Sequence, residues 1–202
     1  MKVQLEKTFP MPGSADTAWA LLQDIEGVAG CMPGAKITER IDAQHYKGTV
    51  AVKFGPANMT FRGEVEVTAL DSASKTVRLL GKGTDTTGSS GASMDLTARV
   101  DAIDAAACNL VGTSEVSMSG KAASFGGRMM GSVADQVMKQ FADNFAAQVQ
   151  ALQAQAATGA AQSSAGTKAT AAAPAAAQLN GLALIWAVIK DWLRSLFATR
   201  KA

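Results

Sequence analysis

The feature that most constrains this chain is an alternation of apolar and polar residues that runs, with short interruptions, from Ala35 to Gly120. A period of two places successive side chains on opposite faces of a β-strand. After a shorter segment that begins at Ala35, the alternating segments are residues 45–54, 57–69, 76–84, 92–100 and 108–120. The connectors between them are short enough to join antiparallel neighbours. The pattern therefore predicts a six-stranded antiparallel meander.

Each predicted strand has one apolar face and one polar face. In residues 57–69, for example, Phe61 and Val65 alternate with Arg62 and Glu64. A sheet of this kind needs cover on only one of its faces. The start of the chain alternates in the same way, which predicts one further strand before the meander.

Helical spacing appears on both sides of the meander. Ser14 has the chemistry of a helix N-cap, and the apolar residues after it predict one or two short helices that end near Ala29. A second stripe predicts one long helix from an N-cap at Ser124 to about Gln153, because its apolar residues recur every four residues with one three-residue step. Its members are Phe125, Met129, Val133, Val137, Phe141, Phe145, Val149 and Leu152. Such a helix is roughly 45 Å long, enough to cover a whole sheet.

Several short sequences point to a known family. They are CMPGA at Cys31–Ala35, VKFGP at Val52–Pro56 with FRG at Phe61–Gly63, and SFGGR at Ser124–Arg128. Together with the order of elements, they resemble the carbon monoxide dehydrogenase CoxG-like family of the START-like (SRPBCC) helix-grip superfamily, over about residues 1–150. The resemblance implies an α+β fold in which a curved antiparallel sheet wraps around a long C-terminal helix. It also implies a membrane recruiter for a molybdenum hydroxylase of the carbon monoxide dehydrogenase type.

The inward phases of the strands are rich in glycine and methionine, which leave space and adapt to the shape of a bound molecule. A solid core with methionine as filler is the alternative that the residues alone leave open. Because helix-grip proteins often enclose a lipophilic ligand, the resemblance implies a cavity. A quinone is the ligand we expect, since an enzyme of this type passes electrons to the membrane, and no covalently bound cofactor is expected. The residues predicted to line the cavity are Phe54, Phe61, Met94, Leu96, Met118, Phe125, Met129, Val133 and Val137.

Few residues suit acid–base, nucleophilic or metal chemistry. The single histidine, His45, falls on the outward phase of its strand, and no serine or cysteine has another base for a partner. Neither Cys31 nor Cys108 belongs to a motif with metal-ligand spacing. We therefore expect a protein that is not an enzyme and has no metal or catalytic residue. A cyclase- or hydrolase-like activity, as in some helix-grip relatives, is the alternative.

The end of the chain predicts a tether followed by an amphipathic helix. Residues 154–178 are mostly Ala, Gln, Thr, Ser and Gly, which predicts a flexible linker between a ligand-binding domain at 1–153 and a tail at 179–202. The apolar run in the tail is too short to span a bilayer, but its pattern fits a helix that lies in a membrane interface. The expected membrane-binding residues are Leu182, Ile185, Trp186, Ile189, Trp192, Leu193, Leu196 and Phe197, with Lys190 and Arg194 beside them.

The distribution of charge favours a lipid partner for the tail. Of the 19 basic and 17 acidic residues, residues 154–202 hold five and one, so the tail is basic and the body slightly acidic. A slightly acidic body is not typical of a nucleic-acid-binding protein, whereas a basic amphipathic tail suits anionic lipid. Because the N-terminus has no apolar signal segment, we expect the protein at the inner face of the cytoplasmic membrane. The alternative is a scaffold that carries no ligand and whose tail docks into a partner protein.

Overall fold

The computed structural model describes residues 1–55 and 57–164. Most of the predicted linker and the whole predicted membrane-binding tail at 179–202 lie outside these residues. The elements are β1 Lys2–Pro12, α1 Ala15–Gln23, α2 Ile25–Cys31, β2 Ala35–Arg40, β3 His45–Phe54, β4 Ala57–Asp71, β5 Thr76–Asp85, β6 Ser90–Ala102, β7 Ala107–Gly120, a 3-10 turn Lys121–Phe125 and α3 Gly126–Ser164.

The seven strands form one antiparallel sheet in the order β1-β7-β6-β5-β4-β3-β2. Strands β2 to β7 are the predicted meander, because each pairs with the next along the chain. Strand β1 adds to the free side of β7, with Lys2 opposite Ser117 and Pro12 opposite Ala107. The curved sheet and the long C-terminal helix confirm the predicted helix-grip fold. Among the described helices, none combines the length and apolarity needed to cross a membrane.

The short helix α1 begins as the sequence predicts. The Oγ atom of Ser14 accepts a hydrogen bond from the backbone N–H of Thr17 at 3.2 Å, which satisfies one of the free donors in the first turn. Trp19 and Leu22 are buried in the main core. These apolar side chains hold α1 against the inward face of the sheet.

The bounds of the long helix differ from the prediction at both ends. Ser124 is not its N-cap, because Ser124 lies in the 3-10 turn and its Oγ atom donates a hydrogen bond to the Lys121 carbonyl oxygen at 2.6 Å. The helix begins at Gly126 and continues past Gln153 to Ser164. Alanine is the best helix former, so a helix already held by packing extends into an alanine-rich segment that has no apolar stripe. The first part of the predicted linker is therefore helical.

Met129 is wrongly placed in the predicted stripe of α3. Its side chain is 38% exposed, whereas Met130 is 6% exposed and packs with Phe54 and Phe61. Each step of four residues overshoots a full turn by about 40°, so four such steps back from Phe145 reach a position about 160° away. Met130 lies only about 60° from Phe145, and it therefore takes the inward position.

The orientation of α3 predicts different effects for two neighbouring substitutions. Met130→Ala is expected to lower the free energy of unfolding by about 2–4 kcal/mol, because it removes a buried side chain and leaves a cavity. Met129→Ala should change it by less than about 0.5 kcal/mol. Urea unfolding followed by circular dichroism measures both values. Equal losses, or a larger loss for Met129→Ala, would contradict the orientation of the helix.

Candidate functional site

The apolar side chains between the sheet and the helices form two separate clusters. The large cluster joins α1, α2 and the later part of α3 to the sheet, and it includes Trp19, Phe145 and Val149. The small cluster lies where α3 begins, and Phe54 and Met130 are among its buried members. The interior is therefore packed at two places rather than filled by one continuous core.

Five of the residues predicted to line a cavity belong to the small cluster. Phe54 and Phe61 are buried in it, and Met118, Phe125 and Val133 pack against it. The rings of Phe54 and Phe125 are stacked, with their centroids 5.2 Å apart and their planes 8° from parallel. Stacked rings pack tightly, so these residues close one end of the grip.

The other predicted lining residues are distributed differently. Leu96 packs against the large cluster. Met94 and Val137 are half-buried and are members of neither cluster. Met129 lies outside the packed interior, as its exposure shows. The apolar groups that remain partly accessible thus include Met94 and Val137, between the two packed ends.

The inward glycines are of two kinds, and the first kind serves the backbone. A Cβ atom at Gly63 would lie 2.0 Å from the carbonyl oxygen of Lys82, and one at Gly48 would lie 2.8 Å from that of Lys36. Gly120 has φ +68°, and its Cβ would lie 2.0 Å from the Ser89 carbonyl oxygen. These glycines allow neighbouring strands or turns to approach closely, so they do not line a cavity.

The second kind of glycine leaves open space. A Cβ atom added at Gly112 would meet no other atom within 4 Å. One added at Gly81 would meet only the side chain of Met94, at 3.5 Å, and the Glu64 carbonyl oxygen, at 4.0 Å. Gly112 lies on the same strand phase as the buried Leu110, so its open side is the one that faces the interior. The inward face of the sheet therefore has room for a bound molecule at this point.

A hydroxyl group without a hydrogen-bond partner lies beside this open space. Ser114 follows Gly112 on the same phase of β7, and it pairs in register with Leu5 and Leu96. Its Oγ atom is buried and has no hydrogen-bond partner among the described residues. Leaving such a group unpaired costs about 1–3 kcal/mol. The alternation of the sequence places Ser114 inward, but only the missing partner distinguishes it from the other inward residues.

The charged group closest in register to this space is already paired. Lys7 lies opposite Gly112 in the β1–β7 register, and its Nζ atom is 2.9 Å from the Oδ1 atom of Asp135 on α3. The pair links the β1 edge of the sheet to the helix. Because each charge is offset by the other, the site favours a neutral molecule.

A second concave feature is a polar groove of about 560 Å³ that is open to solvent. Its residues come from β4, β5, β6 and β7, and its polar side chains occupy the strand phase opposite to that of Phe61 and Met94. They are Arg62, Glu64, Lys82, Thr84, Ser93, Ser117 and Ser119. This lining does not suit a lipophilic molecule, and the groove is not the apolar site that the sequence predicts.

The reactive side chains of the described residues offer little for catalysis. Cys31 and Cys108 are buried, and burial raises the pKa of both thiols, which keeps them protonated. The Nδ1 atom of His45 lies 2.9 Å from Asp42, which raises the pKa of the imidazole on an exposed hairpin. Within residues 1–55 and 57–164, no three His, Cys, Asp or Glu side chains form a possible metal site. The chemistry that the interior does offer is the binding of an apolar molecule.

A protein-family model matches most of the folded part of the chain. It describes the carbon monoxide dehydrogenase protein CoxG, and it matches residues 8–150. This range runs from β1 through most of α3, so it includes both apolar clusters and the space between them. Curated protein sequences gave no match.

Solved structures share the fold at low sequence identity. A conserved protein from Geobacillus kaustophilus has a TM-score of 0.66 and 21% identity, over 73% of this chain and 95% of that one. The Zhui aromatase/cyclase from Streptomyces sp. R1128 has a TM-score of 0.55 and 18% identity, over 74% and 94% of the two chains. A START superfamily protein from Mycobacterium smegmatis has a TM-score of 0.54 and 15% identity, over 74% and 98%. At these identities the similarity shows the fold alone.

Proposed function

This chain belongs to the carbon monoxide dehydrogenase CoxG family, and we propose that it is a non-enzymatic accessory protein of a molybdenum hydroxylase of the carbon monoxide dehydrogenase type. In this proposal it recruits the enzyme to the inner face of the cytoplasmic membrane and carries a lipophilic ligand. The family match supports the association with the enzyme. The observation that carries the ligand is the open space on the inward side of Gly112.

A quinone is the ligand that we propose. An enzyme of this type releases electrons when it oxidises its substrate, and a quinone takes electrons into the respiratory chain. The half-buried apolar groups around the open space, among them Met94, Val116 and Val137, offer a surface that suits such a molecule. Methionine adds a side chain that adapts to the shape of its neighbours.

The test of a carried ligand starts from the full chain purified from cells that contain their own membranes. Extraction with organic solvent and mass spectrometry should show a quinone at close to one molecule per chain. A control extract comes from Gly112→Val, whose side chain would occupy the open space, and it should contain much less. An extract of the unmodified protein that contains no lipophilic molecule would contradict the carrier function.

The membrane part of the proposal depends on residues 179–202. Their apolar arc and flanking cations suit the interface of an anionic bilayer. Deletion of these residues is expected to abolish co-sedimentation with anionic vesicles, a loss of more than about tenfold, because apolar burial and charge attraction disappear together. Thermal unfolding of the deleted protein checks that the folded part is unchanged.

Two results would redirect the membrane proposal. A truncated protein that still pellets with anionic vesicles would show that the tail is not the anchor. A tail peptide whose tryptophan emission does not shift to the blue with vesicles would favour docking into a partner protein instead.

A further inference from the structure

We propose that Ser114 is the polar contact by which the grip recognises its ligand. Its hydroxyl donates a hydrogen bond to a neutral carbonyl-type oxygen of a molecule whose apolar body lies over Gly112. This inference rests on the proposed carrier function, and it adds a requirement on the ligand, which must carry an acceptor oxygen.

The position of Ser114 supports this role. Its Oγ atom is buried without a partner among the described residues, and the adjacent inward position, Gly112, opens onto free space. The cross-strand neighbours of Ser114 are Leu5 and Leu96, which offer no polar atom in their side chains. A bound molecule that extends from the space over Gly112 is therefore the nearest source of an acceptor.

Other polar side chains that point into the same interior already have partners. The Tyr46 hydroxyl donates to the Ala43 carbonyl oxygen at 3.3 Å. The Asn144 amide donates to the Cys31 carbonyl oxygen at 2.9 Å, and Lys7 is paired with an aspartate of α3. Of these inward polar groups, Ser114 is the one whose donor is left for a ligand.

The surroundings also define the kind of acceptor. Between the clusters the side chains that remain accessible are mainly apolar, such as Met94 and Val137, and a charged ligand would lose its hydration there without an opposite charge to replace it. A carbonyl oxygen on an aromatic or alkyl body meets both conditions, because it accepts one hydrogen bond and carries no net charge.

The test compares two probes that differ only in their acceptor oxygens. Menadione is a naphthoquinone, and methylnaphthalene has the same carbon skeleton without the carbonyl groups. Equilibrium dialysis with the full chain gives the dissociation constant of each. Ser114→Ala is expected to weaken menadione binding by about 3- to 12-fold, the factor that one neutral hydrogen bond provides, and to leave methylnaphthalene binding unchanged.

Two further variants make the test specific. Thr113→Ala removes a hydroxyl from the next residue of the same strand, whose side chain is exposed on the opposite face, and it should change neither constant. Gly112→Val fills the open space and should weaken both probes.

The outcomes separate this inference from the function on which it rests. If the unmodified chain binds menadione and Ser114→Ala binds it equally well, the role of Ser114 is wrong while the carrier function stands. If Ser114→Ala weakens both probes equally, the hydroxyl supports the shape of the site and does not contact an acceptor. If the unmodified chain binds neither probe, the carrier function itself fails, and the inference fails with it.

Discussion

Gly63→Ala is expected to lower the free energy of unfolding by about 3 kcal/mol or more, whereas Gly112→Ala should leave it unchanged or raise it by up to about 1 kcal/mol. The methyl group at position 63 would lie 2.0 Å from the Lys82 carbonyl oxygen and 2.6 Å from the Gly83 Cα atom. Both obstacles are backbone atoms, so the strands themselves would have to separate. At position 112 the methyl group would enter open space.

Alanine at position 112 also restricts the unfolded chain, which is the source of the small expected gain. Urea unfolding of the two variants, followed by circular dichroism under the same conditions, measures the difference. Comparable losses for both would mean that the space over Gly112 is filled. A negligible loss for Gly63→Ala would mean that β4 and β5 are further apart than described.

Phe145→Ala is expected to lower the free energy of unfolding by about 3–5 kcal/mol. Phe145 has no exposed surface and lies in the large cluster, where its ring is 5.7 Å from that of Phe141. Truncation removes the transfer free energy of the ring and leaves a cavity between α3 and the sheet. For a domain of this size the loss corresponds to a fall in Tm of roughly 6–20 °C, which differential scanning calorimetry measures.

The control for this substitution is another large apolar residue in an exposed place. Ile103, in the turn between β6 and β7, is 57% exposed, and Ile103→Ala should change the free energy of unfolding by less than about 0.5 kcal/mol. If the two variants lost similar stability, Phe145 would not be the buried contact that holds α3 to the sheet.

Much of the fold could be predicted because it depends on local patterns. The alternation between Ala35 and Gly120 indicated the strands and their inward faces, and short connectors indicated the antiparallel order, since each strand can reach only its neighbour. The N-cap at Ser14 was also predictable, because capping needs only a side-chain oxygen beside the first free N–H groups.

The errors in the prediction have equally local causes. Counting steps of four residues carried Met129 inward, whereas the helical period of 3.6 residues brings Met130 there. Ser124 has the chemistry of a cap, but its hydroxyl bonds within the preceding turn. The membrane-binding residues of the tail, the boundaries of the linker and the quinone remain predictions, and the experiments above test the anchor and the ligand.

The sequence by itself determined the family, the helix-grip fold and the face of each strand that meets the helix, because these follow from periodicity and from neighbours along the chain. Only the tertiary structure decided which inward positions matter for binding. Gly63 and Gly112 occupy the same phase of the pattern, yet one faces a neighbouring backbone and the other faces open space. Ser114 is one inward serine in an alternating strand until the surrounding elements leave its hydroxyl without a partner. Free space and an unpaired donor depend on distances between elements that are remote in the chain, and no local pattern contains those distances.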